Sequence, residues 1–176
     1  GAALTDYLSS EGITVLGDLA YQSAHKTAEV GTALTVLRNG VAETIVAERL
    51  LVATGRAPNV EDLGLIEAGV KQTLSGAIIV DDHMRTSVRG VYAAGDVTGR
   101  DQFVYMAAYG AKIAAKNALN GDSLRYDNSA MPAVVFSDPQ VASVGFTEAQ
   151  AIAAGYATRT STLPLENVPR ALAARD

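Results

Sequence analysis

The chain has 176 residues, 48% hydrophobic and 19% charged, with a net charge of −5. That balance excludes a disordered segment, leaves no basic footprint for nucleic acid or an acidic membrane, and allows one domain or pieces of two. Cysteine is absent, which excludes disulfides, thiolate metal sites and thiol nucleophiles from within the chain.

No apolar run reaches the roughly 18 residues of a membrane span, and no signal peptide is visible, so a soluble, cytoplasmic protein is expected. The chain opens at Gly1 inside an apparent amphipathic helix and stops at Arg175 and Asp176 without a closing element. Both ends are therefore expected to be cut points.

Leu4, Tyr7 and Leu8 at helical spacing predict a short helix that ends near Gly12, where glycine can serve as C-cap. Residues 13–16 read as a strand. Three β segments follow, over 22–26, 32–38 and 42–47, with Asn39-Gly40 as a hairpin turn whose two positions need positive φ. A β-meander is expected there.

Residues 49–53 (RLLVA) form an apolar run without alternation, which predicts a strand covered on both faces and running into Thr54, Gly55 and Arg56. Residues 61–70 read as a brief helix or turn, and 77–80 (AIIV) as a further strand. The stretch 91–119 combines an apolar run at 91–94, a corner at Gly95 and Asp96, a polar connection, and an Ala-rich helix from near Gln102 that Asn120-Gly121 breaks. A polar linker over 122–130 marks a domain boundary. Strands are then expected at 133–136 and 141–145, a helix from the N-cap Thr147 with Gln150 completing a capping box, and a strand at 156–163.

An acidic side chain at the carboxyl end of a strand, facing a helix start, occupies the position where open α/β sheets bind ligands. Asp96 behind Gly95 is the first candidate, because a carboxylate there can accept a ligand hydroxyl; the competing reading is an aspartate capping a turn. The helix start is the second candidate. Its first-turn amides and dipole would stabilise an electron-rich group by roughly 0.3–2 kcal/mol, and about 1.4 kcal/mol corresponds to about 30 mV for a two-electron couple. The alternative is that Phe103, Met106, Ala107 and Gly110 form only its core face. Gly55 is either a plain turn or a point of close nucleotide approach. Tyr105 and Tyr109 suggest packing rather than catalysis. His25 and His83 stand alone, so no metal site and no catalytic residue is assigned, and Arg170 and Arg175 have no evident partner. The phosphate-binding G-x-G-x-x-G turn does not occur.

ATGRAPN over 53–59 and VYAAGDV over 91–97, about 40 residues apart, resemble the paired signatures of the flavoprotein disulfide reductases. Within that family, QFVYMAA (102–108), MPAVVFSDPQVASVGFTEAQA (131–151) and PLENVPRALA (164–173) are most similar to the mercuric reductases. The resemblance implies an α/β chain that is part of a FAD/NAD(P)-binding Rossmann-like two-domain fold plus the start of an α+β dimerisation domain. Residues 1–50 would close the NAD(P)H domain, 51–121 the FAD domain, and 131–176 would open the dimerisation domain. It also implies FAD and NADPH as cofactors, a homodimer, and Hg(II) as a thiolate complex for substrate, with neither nucleic acid nor membrane as partner. Asp96, beside Gly95, would bind a ribityl hydroxyl of FAD; Gln102, Phe103, Val104 and Tyr105 would line its ring; Thr54 and Gly55 would lie by the pyridine nucleotide. The family's redox cysteine pair and glycine-rich turns are absent from this chain, so the fragment alone is expected to be inactive. The alternatives are another member of the family, such as a dihydrolipoamide dehydrogenase, or a non-catalytic flavin-binding or dimerisation module.

Overall fold

The computed structural model describes residues 2–29 and 31–174. Gly1 and Arg175, singled out above, lie outside the described residues. The chain divides into two compact units, one of residues 54–131 and one of the segments on either side.

The flanking unit opens with α1 (Ala2–Ser10). Gly12 at φ 84° ends it, and the Ile13 amide returns to the Leu8 carbonyl at 3.0 Å, the closure of a helix by a left-handed glycine. Strands β1 (Leu19–Lys26), β2 (Thr32–Arg38) and β3 (Val41–Ala47) form the expected antiparallel meander, in the order β1-β2-β3. Asn39 and Gly40 both have positive φ, 52° and 79°, and set the Arg38–Val41 register of the second hairpin. Central β2 supplies the buried residues Ala33 and Val36. In the second segment, β4 (Pro132–Val135) pairs antiparallel with β5 (Val141–Val144). Helix α3 (Glu148–Ala153) starts at Thr147 with the full capping box: the Gln150 amide donates to the Thr147 hydroxyl, and the Thr147 amide to the Gln150 side chain. Helix α4 (Pro169–Ala174) follows.

The 54–131 unit is organised by α2 (Val104–Asn120), two residues shorter at its start than the sequence suggested. Met106, Gly110, Ile113 and Asn117 fall on one face and are buried. Met106 and Ile113 join Met84 and Tyr126 in a core edged by Val80, Ala94, Phe103, Ala114 and Met131. At the far end Gly121 takes the left-handed C-cap conformation, with its amide on the Asn117 carbonyl.

Five expected strands do not form. Residues 13–16, 49–53 and 156–163 have no regular structure, while 77–80 and 91–94 make only single bridges, Gln72 with Ile78 and Arg85 with Tyr92. Residues 49–53 are not buried either: Leu51 is 88% exposed. A strand exists only when a neighbour takes its amides and carbonyls, and parallel neighbours come from distant sequence. Among the described residues none runs beside 49–53. The meander and the β4–β5 pair carry their partners within a hairpin and do form.

Candidate functional site

The corner at residues 95–99 is a short 3-10 turn, Asp96–Thr98, bracketed by two left-handed glycines, Gly95 (φ 82°) and Gly99 (φ 68°). The Thr98 hydroxyl donates to the Gly95 carbonyl at 2.8 Å, and the Ile78 amide donates to the Val97 carbonyl at 2.8 Å. Small residues then let α2 lie close on this segment. A Cβ built on Gly95 would stand 3.1 Å from the Ala107 Cβ, and one on Gly110 would stand 3.3 Å from the Ala94 Cβ. Because Ala107 is in the first turn of α2, Asp96 emerges next to the start of that helix.

Asp96 does not cap its own turn, since Gly95 is the N-cap and no side chain supplies a cap hydrogen bond. Its carboxylate instead faces Arg56, with Nη1 3.5 Å from Oδ2. Arg56 lies in one of the two marked stretches and Asp96 in the other, so the fold joins what the sequence holds about 40 residues apart. Both ends of the pair are exposed, the Asp96 side chain by 48%. Such a pair contributes at most about 1 kcal/mol to stability and leaves the carboxylate able to accept further bonds. Thr54 and Gly55 precede it on an exposed connection. Gly55 has φ 124° with nothing within 4 Å of a built Cβ, so backbone conformation, not crowding, requires glycine there.

Gln102 and Phe103 lead into α2 half-buried, while Val104 is 87% exposed and Tyr105 is exposed. Phe103 is the N-cap, in extended conformation and without a side-chain acceptor. Its ring stacks on that of Tyr105, with centroids 5.2 Å apart and planes at 18°. An uncapped helix start beside a flat aromatic surface suits a planar, electron-rich ligand. The clefts around residues 60–67 and around Asp81, Arg85 and Asp122 contain none of these side chains. The candidate residues are themselves exposed or half-buried.

In the sequence Arg56 is only part of a turn, and neither Asn117 nor Tyr126 belongs to a candidate site. An asparagine on the apolar face of a predicted helix, such as Asn117, is the signal that could have found one of them. Asn117 Nδ2 donates to the carbonyls of His83 (3.0 Å) and Leu124 (2.8 Å), and its Oδ1 accepts the Leu124 amide at 2.9 Å.

A model of the pyridine nucleotide-disulphide oxidoreductase family matches residues 1–115, and the model of that family's dimerisation domain matches residues 131–176. A mercuric reductase of Acidithiobacillus ferrooxidans is 49% identical over 174 residues, covering 98% of this chain and 30% of that protein. One of Shigella flexneri is 56% identical over 127 residues, 72% of this chain and 22% of that protein. One of Staphylococcus aureus is 42% identical over 170 residues, 97% of this chain and 31% of that protein. Among solved structures, LpdA of Mycobacterium tuberculosis superposes with a TM-score of 0.85 at 28% identity, covering 99% of this chain and 37% of that one. The Cu(II) complex of the HOCl-induced flavoprotein disulfide reductase RclA of Escherichia coli gives 0.83 at 27% identity, with 99% and 39% covered. The chain thus spans less than a third of these mercuric reductases. It carries the α/β fold of its matches and belongs to the pyridine nucleotide-disulphide oxidoreductase family.

Proposed function

We propose that this chain is an internal part of a FAD-dependent enzyme that uses NADPH to reduce Hg(II) to Hg(0). The observation that carries the reading is the meeting of Arg56 and Asp96 next to an uncapped helix start, in a chain whose likeness to mercuric reductases extends over nearly its whole length. In this reading residues 1–50 end the NAD(P)H domain, 51–121 return to the FAD domain, 122–130 link, and 131–176 begin the dimerisation domain of a homodimer. The dimerisation-domain match over residues 131–176 supports the last of these divisions. No helix among the described residues is long and apolar enough to cross a membrane, and the net charge offers nothing to nucleic acid, which fits a cytoplasmic enzyme.

The residues present fit the flavin. The Asp96 carboxylate is exposed, pairs with Arg56 at 3.5 Å, and can accept a ribityl hydroxyl. Gln102, Phe103, Val104 and Tyr105 offer the stacked aromatic edge and the positive end of a helix to the ring. The helix dipole then favours negative charge there by roughly 0.3–2 kcal/mol. Thr54 and Gly55 lie on an exposed connection that leaves room for the pyridine nucleotide. Bound FAD supplies the electron transfer between NADPH and the substrate; this chain's part is to hold and tune it. The substrate contact lies elsewhere, because Hg(II) is a soft ion that requires thiolates and the chain contains no cysteine.

The test is NADPH-dependent release of Hg(0) by the complete protein and by the 176-residue chain. The complete protein should volatilise mercury and the chain alone should not. Turnover of a disulfide such as lipoamide with no mercury release would transfer the assignment to a disulfide-reducing member of the family. Release by the fragment would refute the division of labour.

A further inference from the structure

The turn that feeds α2 is held by side chains from the far end of the same unit. Asp101, immediately before Gln102, has φ 32°, in the left-handed region that few residues other than glycine, asparagine and aspartate enter. Its carbonyl accepts the Phe103 amide at 2.6 Å. Its Oδ2 accepts two donors, the Tyr126 hydroxyl at 2.9 Å and Asn128 Nδ2 at 2.8 Å.

Tyr126 is itself firmly anchored. It is 8% exposed, in the core with Met84, Met106 and Ile113. Its ring lies 5.2 Å from that of Tyr109 and 4.7 Å beneath the Arg100 guanidinium. The Tyr126 amide donates to the Asp82 carbonyl at 2.6 Å, and the Asp82 carboxylate pairs with Arg125 (2.9 Å) and Arg100 (3.6 Å). The hydrogen bond from Arg125, with Arg100 assisting against partial burial, holds the Asp82 carboxyl below its usual range. Burial, then the bond to Asp101, pushes the Tyr126 phenol up to about 12, so it remains a neutral donor at working pH.

We propose that Tyr126 and Asn128, acting through Asp101, are positioning residues that fix the turn into α2 and thereby set how the helix start meets its ligand. The geometry supports this over a purely structural role because both donors converge on the one residue that adjoins the ring-facing stretch Gln102, Phe103, Val104 and Tyr105. The identity of the ligand as FAD rests on the reading proposed above; the latch itself does not.

The experiment compares Tyr126→Phe with wild type in the complete protein, since the substitution removes one hydroxyl and keeps the ring. In the flavin-free form, amide hydrogen exchange at Phe103 and Met106, whose amides bond to the Asp101 and Phe103 carbonyls, should accelerate about tenfold, the loss expected for one hydrogen bond to a charged acceptor, while residues 113–120 remain unchanged. Flavin affinity should fall by a similar factor. Should the phenylalanine variant fail to fold, Asn128→Ala, exposed and outside the core, should give the same local signature at smaller size. Wild-type exchange at Phe103 and Met106, or acceleration spread evenly along α2, would overturn the latch. Local acceleration in a protein that takes up no FAD would uphold the latch and refute the reading of the ligand.

Discussion

At its C-terminal end α2 carries Asn117, 2% exposed and bonded to the backbone of His83 and Leu124, followed by Gly121 as a left-handed cap. At its N-terminal end it has Phe103, which offers no cap, and Val104, 87% exposed. One end satisfies its polar groups internally. The other leaves its amides and dipole without a side-chain cap. Ordinary helix starts gain about 1 kcal/mol from a Ser, Thr, Asp or Asn cap. No such side-chain cap is present at Phe103. The difference between the two ends separates the part of this helix that holds the unit together from the part that the proposed reading assigns to binding.

Four substitutions would break or sharpen that contrast. The largest effect is expected from Asn117→Ala, which empties a buried position and removes the partner of the Leu124 amide and of the His83 carbonyl, and should cost about 1–3 kcal/mol in denaturant unfolding. Flavin affinity of the folded fraction should stay within about twofold of wild type, and a proportionate loss of affinity would collapse the distinction between the ends. Asp96→Asn should do the reverse. Loss of a charged acceptor should weaken FAD binding about 10- to 100-fold by titration, with a stability change under about 1 kcal/mol, because its pair with Arg56 is exposed.

Gly121→Ala isolates the backbone term. Nothing lies within 4 Å of the added Cβ, so only the left-handed conformation resists it, and thermal unfolding should register a loss of about 1 kcal/mol with binding untouched. The smallest and most diagnostic change is Val104→Glu. A carboxylate in the first turn should stabilise the flavin-free protein by about 0.3–1 kcal/mol and yet lower its affinity for flavin. If affinity rose along with stability, the helix start would be a stabilising end like the other, not a binding one.

Sequence alone determined the features whose hydrogen bonds close within a few residues. Asn39-Gly40 specified its hairpin, Gly121 the end of α2, and Thr147 with Gln150 the capping box, because each signal and its partner lie in one local turn. Asp96 and the helix start are candidates on the same local grounds, a carboxylate at a glycine corner before a helix. Tertiary structure decided whatever depends on a partner far along the chain. Residues 49–53 look like a buried strand yet stand exposed with no pairing strand among the described residues, since an apolar run cannot supply the second strand that pairs with it. Equally, no pattern in the sequence joins Arg56 to Asp96, Asn117 to His83, or Tyr126 to Asp101. Such contacts exist only after folding has brought distant segments within about 3 Å, the range in which a hydrogen bond contributes.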